Sequence, residues 1–372
     1  MNYIYKHSNW PKFYWDQEKI AQILVDVRHR QGLLLGKMNA LGFSLRDEAI
    51  LKTLTLDVLK TNEIEGEILN PEQVRSSIAR RLGMQVAELI PSNRDVDGVV
   101  EMMIDATQKF DKPLSDERLF NWHAALFPTG RSGMHKITIG NWRKGDKGPM
   151  QVVSGPMGKE RVHFEAPDSS ELEKEMKIFL EWFNHKLGID PVLKAAIAHL
   201  WFVTIHPFDD GNGRIARAIT DMQLARADKT AQRFYSMSAY IQKERKQYYD
   251  ILEATQKSDD LDITKWLEWF LVCLNNALDS TEEILAIVFQ KAHFWDKNSN
   301  KSINARQQLM LNKLLEGFTG KLTSAKWAKI TKCSHDTALR DIKDLIKQEM
   351  LVQDESGGRS TSYSLLFSAA KE

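Results

Sequence analysis

The sequence predicts a mostly α-helical protein with a β-hairpin in its middle and a small unit of three helices and a hairpin at its C-terminal end. Three observations carry that expectation. Apolar residues recur at helical period through most of the 372 residues. The pattern breaks over residues 128–168, which are glycine-rich and alternate weakly at period two. A polar stretch at 295–303 then separates off a last segment with its own helix–helix–helix–hairpin order. The length fits two or three domains.

The elements follow in order. Residues 16–41 place Ile20, Ile23, Leu24, Val27, Leu34 and Met38 on one helix face. Residues 46–62 continue through Ile50, Leu54, Val58 and Leu59 and end near Gly66. Asn70-Pro71-Glu72 reads as a cap followed by a proline at the first helical position. Helices are expected at 94–111 and 115–127, the second capped by Ser115. The hairpin pairs Met150 to Val153 with Arg161 to Phe164 around Ser154-Gly155-Pro156-Met157-Gly158. Helices resume at 170–187, 191–204, 213–227, 239–256 and 262–293, with 191–204 nearly all apolar and therefore central. The last segment has helices at 303–316, 323–330 and 334–347, then two short strands flanking residues 354–359.

Composition excludes several classes. With 51 Lys plus Arg against 50 Asp plus Glu the formal charge is +1, and 42% hydrophobic with 27% charged residues is ordinary for a globular protein. Disordered and fibrous chains are excluded, and the total charge gives no argument for nucleic acid or a membrane surface. Cys273 and Cys333 are too few and too far apart in sequence for a disulfide framework or a four-ligand zinc site. No apolar run approaches the roughly 20 residues of a membrane helix. With no secretory pattern at the N-terminus, the expectation is a soluble, cytoplasmic protein without a membrane partner.

One stretch carries chemistry: His206-Pro-Phe-Asp-Asp-Gly-Asn-Gly-Arg-Ile-Ala-Arg217. Pro207 stops the apolar helix behind it, leaving His206 where helix gives way to loop. Gly211-Asn212-Gly213 can bring backbone N–H groups together at the start of the next helix, a ready anion site. Arg214 and Arg217, three apart, share one helix face, as a polyphosphate would need. Asp210 suits a single protein ligand of Mg²⁺, which takes its other ligands from water and phosphates. His206 is the group suited to accept a proton near neutral pH. Phosphate, metal and base together point to attack of a hydroxyl on a nucleotide phosphate.

These residues resemble the Fic family of protein adenylyltransferases, whose motif H-P-F-x-[DE]-G-N-G-R-x-x-R is met at every fixed position. The resemblance implies a Fic-type helical core with a β-hairpin flap. It implies that His206 deprotonates a Ser, Thr or Tyr hydroxyl of a target protein, which attacks the α-phosphate of ATP. It assigns Asp210 to Mg²⁺, Gly211, Asn212 and Gly213 to the phosphate cradle, and Arg214 and Arg217 to the β- and γ-phosphates, with Phe208 packed inward. The hairpin with Val153, Ser154 and Gly155 stands where the family has its target-docking flap, which works by strand addition. Residues 245–256 resemble the segment that encloses the adenosine, with Tyr248, Tyr249 and Gln256 as candidate neighbours; Gln256 stands where relatives often have Asn.

A second motif, Thr61-Asn-Glu-Ile-Glu65-Gly66, matches the family's inhibitory [ST]-x-x-x-E-[GN]. Thr61 and Glu65 are four apart and face the same way on a helix. The resemblance implies that Glu65 pairs with Arg217 and so occupies the guanidinium that should hold the γ-phosphate. Within the family the same site can also remove AMP, with Glu65 placed to position water. His199, seven residues before His206, is expected as a buried, hydrogen-bonded residue rather than a metal ligand. The cluster of Trp266, Trp269 and Phe270 is expected in the core.

The expected division is an N-terminal helical region over 1–92 bearing the inhibitory helix, a catalytic core over 93–294, and a winged helix-turn-helix over 302–372. The last rests on the resemblance of residues 358–363 to a wing. Residues 301–372 carry 12 Lys plus Arg and 8 Asp plus Glu, a modest basic surplus. That leaves two uses open for it: DNA binding through Ser334 to Arg340 at the start of a recognition helix, or a protein or homodimer contact. A rival reading of the whole chain is a DNA-binding regulator with a nucleotide-sensing Fic-like site.

Overall fold

The computed structural model describes residues 3–84, 89–155, 159, 161–186, 188–354 and 361–366. The described chain divides into two compact units, Met1–Ala40 with Arg46–Glu283, and Leu41–Leu45 with Ile284–Glu372.

The larger unit is built on helices α1 (Gln17–Asn39), α2 (Phe43–Ile64), α3 (Pro71–Arg81), α4 (Arg94–Gln108) and α5 (Asp116–Leu126). Two hairpins follow, β1 (Arg131–Ser132) with β2 (His135–Lys136) and β3 (Gln151–Ser154) with β4 (Arg161–Glu165). Helices α6 (Leu172–Asn184), α7 (Pro191–Ile205), α8 (Asn212–Asp228), α9 (Met237–Lys243), α10 (Arg245–Gln256) and α11 (Thr264–Ile284) complete it.

The expected starts are realised by side-chain caps. Asn70 Oδ1 accepts from the N–H groups of Glu72 (3.0 Å) and Gln73 (3.1 Å), with Pro71 in the first turn. Asp190 does the same for Val192 at 2.8 Å, and Pro191 opens α7. α7 is apolar on every face, and each residue from Val192 to Ile205 is buried, so it forms the axis of the unit. It packs on α6 and α8, and Trp201 lies among the rings of Trp10, Phe13, Phe179 and Trp182. Trp266 and Phe270 are buried as expected.

α4 and α5 approach so closely at Gly98 that a Cβ there would sit 1.8 Å from the carbonyl oxygen of Ala125. Backbone cannot yield as a side-chain tip can. Gly98→Ala is therefore expected to destabilise the protein by about 2 kcal/mol or more despite its better helix propensity, which a thermal melt would read as a lowered Tm.

Two expected helices are each broken into two. Residues 239–256 split at Glu244, whose φ −106°, ψ 32° lies outside the helical basin and which ends α9 and starts α10. The break goes with Arg245, whose Nε donates to the Ile64 carbonyl at 2.6 Å. Residues 262–293 split at Leu285 (φ −97°, ψ 6°). No proline or glycine marks either break, so apolar period runs straight through them.

The smaller unit holds α12 (Ala286–Lys297), α13 (Ala305–Leu315), α14 (Ser324–Thr331), α15 (His335–Lys347) and the hairpin β5 (Leu351–Gln353) with β6 (Tyr363–Leu365). The stretch expected as a linker from 295 is helical through Lys297. Phe294 is buried in this unit's core, with Trp295 packed against that core and its Nε1 donating to Asn312 Oδ1 at 3.0 Å. Trp327, Met310, Ile342 and Leu345 complete the core. Residues 358–360 of the expected wing lie outside the described residues.

Candidate active site

The path from α7 to α8 sets the site. His206 caps α7 in the left-handed region (φ 53°), a conformation uncommon for a residue with a Cβ, while its N–H still donates to Phe202 O at 3.0 Å. Such a residue persists only where its surroundings over-determine it. Here Arg143, itself buried, donates from its backbone to Pro207 O (2.9 Å) and from Nε to His206 O (2.8 Å). Phe208 is buried and stacked face to face on His123, with ring centroids 4.3 Å apart. Gly211 takes φ 80° to open α8.

His206 Nδ1 lies 3.2 Å from the Val203 carbonyl. A carbonyl can only accept, so Nδ1 carries the proton and Nε2 keeps its lone pair. Burial pushes the imidazole down to about 4, so it is neutral and able to take a proton across the neutral range.

Asn212 is buried, and its side chain clamps the loop: Oδ1 accepts from Phe208 N–H (3.0 Å) and Nδ2 donates to Phe208 O (2.8 Å). Its side chain is therefore committed to holding the loop. Asp210 Oδ1 accepts from Gly211 N–H at 2.6 Å and Oδ2 from the Ser132 hydroxyl of β1. Asp209 Oδ2 accepts from Thr138 N–H at 2.8 Å. Among the described residues no group of three or more His, Cys, Asp or Glu could hold a metal ion. Asp210 does suit Mg²⁺ as one hard oxygen ligand whose partners come from phosphates and water.

The two arginines of α8 are buried and engaged by the end of α2. Arg217 Nε donates to Thr61 Oγ1 (2.7 Å), and Nη2 donates to Thr61 O (2.9 Å) and Glu65 Oε1 (2.7 Å). Arg214 Nη1 donates to Glu67 Oε2 at 2.7 Å, and its guanidinium lies over the Phe127 ring. Glu65 comes so close to the loop that a Cβ on Gly213 would sit 2.3 Å from Oε1.

The α2 terminus is shaped for this. Gly66 (φ 85°) turns the chain, with Gly66 N–H bonded to Glu63 O and Glu67 N–H to Asn62 O, both at 3.0 Å. Glu65 thus serves as a helix-end residue and as the partner of Arg217. A carboxylate at a helix C-terminus opposes the dipole, and the Arg217 guanidinium offsets that. Two polar atoms are left over: Arg217 Nη1 and Arg214 Nε are buried without a hydrogen-bond partner among the described residues. Orphaned guanidinium donors beside a glycine loop are what an anion would satisfy.

A cavity of about 770 Å³ joins these parts, lined by Glu65, His206, Asp210 and Gly211 to Gly213 on one side and by Val153 and Ser154 of β3 on another. Tyr248, Tyr249 and Gln256 of α10 also line it. Tyr248 is buried, and its hydroxyl lies 2.8 Å from His199 Nε2, whose Nδ1 meets Thr220 Oγ1 at 2.9 Å. His199 is thus the buried, hydrogen-bonded residue expected. Gln256 Nε2 donates to Thr204 Oγ1 (3.2 Å) and Val203 O (3.3 Å). Of the three, Tyr249 is the least buried. Arg143, His123 and Glu67 were not singled out in the sequence; each reaches the motif from a distant segment with no local signature. Nor was the N-terminal stretch, where Tyr3 and Tyr5 pack on Phe164 of β4 and so buttress the flap.

Residues 113–224 match the Fic/DOC family model. The matched segment contains His206 to Arg217, with α7 before it and most of α8. Residues 3–84 match a model described as a domain of unknown function (DUF4172). The chain is 31% identical over 180 residues to "Protein adenylyltransferase fic-1" of Caenorhabditis elegans, across 47% of this chain and 32% of the relative. It is 33% identical over 221 residues to "Protein adenylyltransferase Fic" of Aedes aegypti, across 58% and 39%. The chain thus spans between 32% and 39% of the length of these relatives. In fold it is similar to the crystal structure of a Fic family protein from Desulfovibrio desulfuricans, with a TM-score of 0.59 at 19% identity, across 96% of this chain and 99% of that one. Among the described residues no helix is long and apolar enough to cross a membrane.

Proposed function

We propose that this chain is a protein adenylyltransferase that moves AMP from ATP to a Ser, Thr or Tyr hydroxyl of a target protein and is held back by Glu65. The observation that carries the reading is the Glu65–Arg217 pair at 2.7 Å beside the glycine loop. An acid just past the end of α2 occupies the cation best placed for a terminal phosphate, and a neutral His206 with a free Nε2 lines the same cavity.

In the mechanism, a target segment adds to the exposed edge at Val153, Ser154 and Gly155 and presents its hydroxyl to His206. Nε2 takes the hydroxyl proton as the oxygen bonds to the α-phosphorus, and pyrophosphate leaves with the electrons of the broken bond. Backbone N–H groups at Gly211 to Gly213 and the free donors of Arg214 and Arg217 hold the phosphates in line. Asp210 is the residue that would hold Mg²⁺, which when bound neutralises phosphate charge. Arg143 keeps the His206 carbonyl, and with it the strained cap, in place. Tyr249 offers the adenine an aromatic neighbour. In the inhibited state Glu65 blocks the γ-phosphate by charge and by contact.

The pH dependence tests the base. With its imidazole pushed down to about 4 by burial, His206 stays neutral well below the range of an ordinary histidine. For the Glu65→Gly protein, kcat/KM for ATP, which reports the free enzyme, is expected to hold as pH falls from 8 to about 5 and to drop only near 4. A fall centred near 6.5 would show an ordinary, solvated histidine as the base.

Two further activities belong with this reading. Removal of AMP would use Glu65 to orient water, and incubation with an adenylylated protein tests it. A winged helix-turn-helix over 302–372 is supported by the order α13, α14, α15, β5, β6 and by the exposure of Ser334, His335, Asp336 and Arg340. It serves DNA binding or a contact with a second copy; a salt-dependent shift of duplex DNA would favour the first. If DNA binds and no variant transfers AMP, the regulator reading replaces the enzyme.

A further inference from the structure

The flap contains an arrangement that the transfer site does not use. In the hairpin, Val152 faces Phe164 and Val153 faces Val162, so His163 is the extra residue of a bulge in β4. Bulges recur beside active sites because they re-aim a side chain. The His163 ring lies between two partners. Ser154 Oγ is 2.5 Å from Nε2, and Glu253 Oε2, on α10, is 2.6 Å from Nδ1.

An ionised carboxylate can only accept, so Nδ1 carries the proton and Nε2 accepts from the Ser154 hydroxyl. Glu253 does stay ionised: burial works against it, but hydrogen bonds from Lys257, His163 and Arg161 win and hold its carboxyl at about 2. Hydroxyl, imidazole and oriented carboxylate in that order form the arrangement that activates a serine nucleophile. Ser154, His163 and Glu253 line the same cavity as His206 and the glycine loop. Arg161, the cross-strand partner of Ser154, is largely exposed and donates from Nη2 to Glu253 Oε1 at 2.9 Å.

We propose that Ser154 is an AMP acceptor within this chain, with His163 as its proton acceptor and Glu253 orienting the imidazole. The inference rests on ATP being the AMP donor at this site. Ser154 Oγ bonds to the α-phosphorus, the bond from that phosphorus to the bridging oxygen breaks, and pyrophosphate leaves with the electron pair. The hydroxyl proton passes to His163 Nε2. The product is a serine–AMP phosphodiester on the docking edge, next to Arg161. Self-modification there closes the edge to target segments.

The test uses the full chain carrying Glu65→Gly, ATP labelled at the α-phosphate, and peptide mapping by mass spectrometry. AMP is expected on the peptide containing Ser154. Ser154→Ala and His163→Ala are each expected to lower that label at least about tenfold. Imidazole added to the His163→Ala protein is expected to restore part of it, which a merely structural tie between flap and α10 would not allow, and Ser154→Thr is expected to keep it. Labelling confined to other residues, or a loss in His163→Ala that imidazole leaves unchanged, overturns the assignment while leaving the adenylyltransferase reading standing. Absence of label in every form overturns both.

Discussion

Replacing Glu65 with glycine is expected to raise transfer of AMP from ATP by about 10- to 100-fold, measured as covalent label per minute from ATP labelled at the α-phosphate. The acid contributes two effects that the change removes together. Its Oε1 holds Arg217 Nη2 at 2.7 Å, and its negative charge faces the space a γ-phosphate must enter. Either effect amounts to one charge-assisted interaction, which is the scale of the predicted gain. The same substitution leaves a buried guanidinium without its counter-ion. The ATP-free variant is therefore expected to melt below the parent and to regain stability when ATP and Mg²⁺ are added. Equal labelling by parent and variant would mean that Glu65 is only a helix-end residue, tied to Arg217 without consequence for ATP.

His206→Ala in the Glu65→Gly background is expected to lower the rate at which an added target protein is labelled by about 10² to 10⁴-fold while ATP binding persists. The separation follows from the geometry. In the proposed mechanism the phosphates are held by Gly211 to Gly213 and the arginines of α8, whereas His206 belongs to the end of α7. Alanine at 206 must still adopt φ near 53°, held by Arg143 at the His206 carbonyl, so part of the loss could come from the loop. His206→Asn keeps a residue tolerant of that conformation. If the asparagine variant is as inactive as alanine, the lost base is the cause; if it recovers activity, the loop is.

Much of the site was legible because it is local. His206 to Arg217 is twelve consecutive residues, and Pro207 and the two glycines dictate the turn that joins α7 to α8. Thr61 and Glu65 share a helix face by spacing alone, although only the downstream motif gave them a partner. The rest was hidden by distance along the chain. Arg143 holds a loop 63 residues away, and Glu67 meets Arg214 across 147 residues. The relay from Ser154 to Glu253 depends on a one-residue bulge that no alternation pattern announces. The tyrosines of residues 245–256 share one resemblance, yet the structure divides them: Tyr248 is buried and bonded to His199, and Tyr249 is the less buried of the two. The breaks at Glu244 and Leu285 went unseen because apolar period continues across them.

The central claim is that this site transfers the α-phosphoryl group of ATP with its nucleoside. It is tested most directly by incubating the full chain carrying Glu65→Gly with Mg²⁺ and ATP labelled at either the α- or the γ-phosphate. The account predicts covalent label from the first, none from the second, and release of pyrophosphate. Covalent label from the γ-position, or none from either, would contradict it.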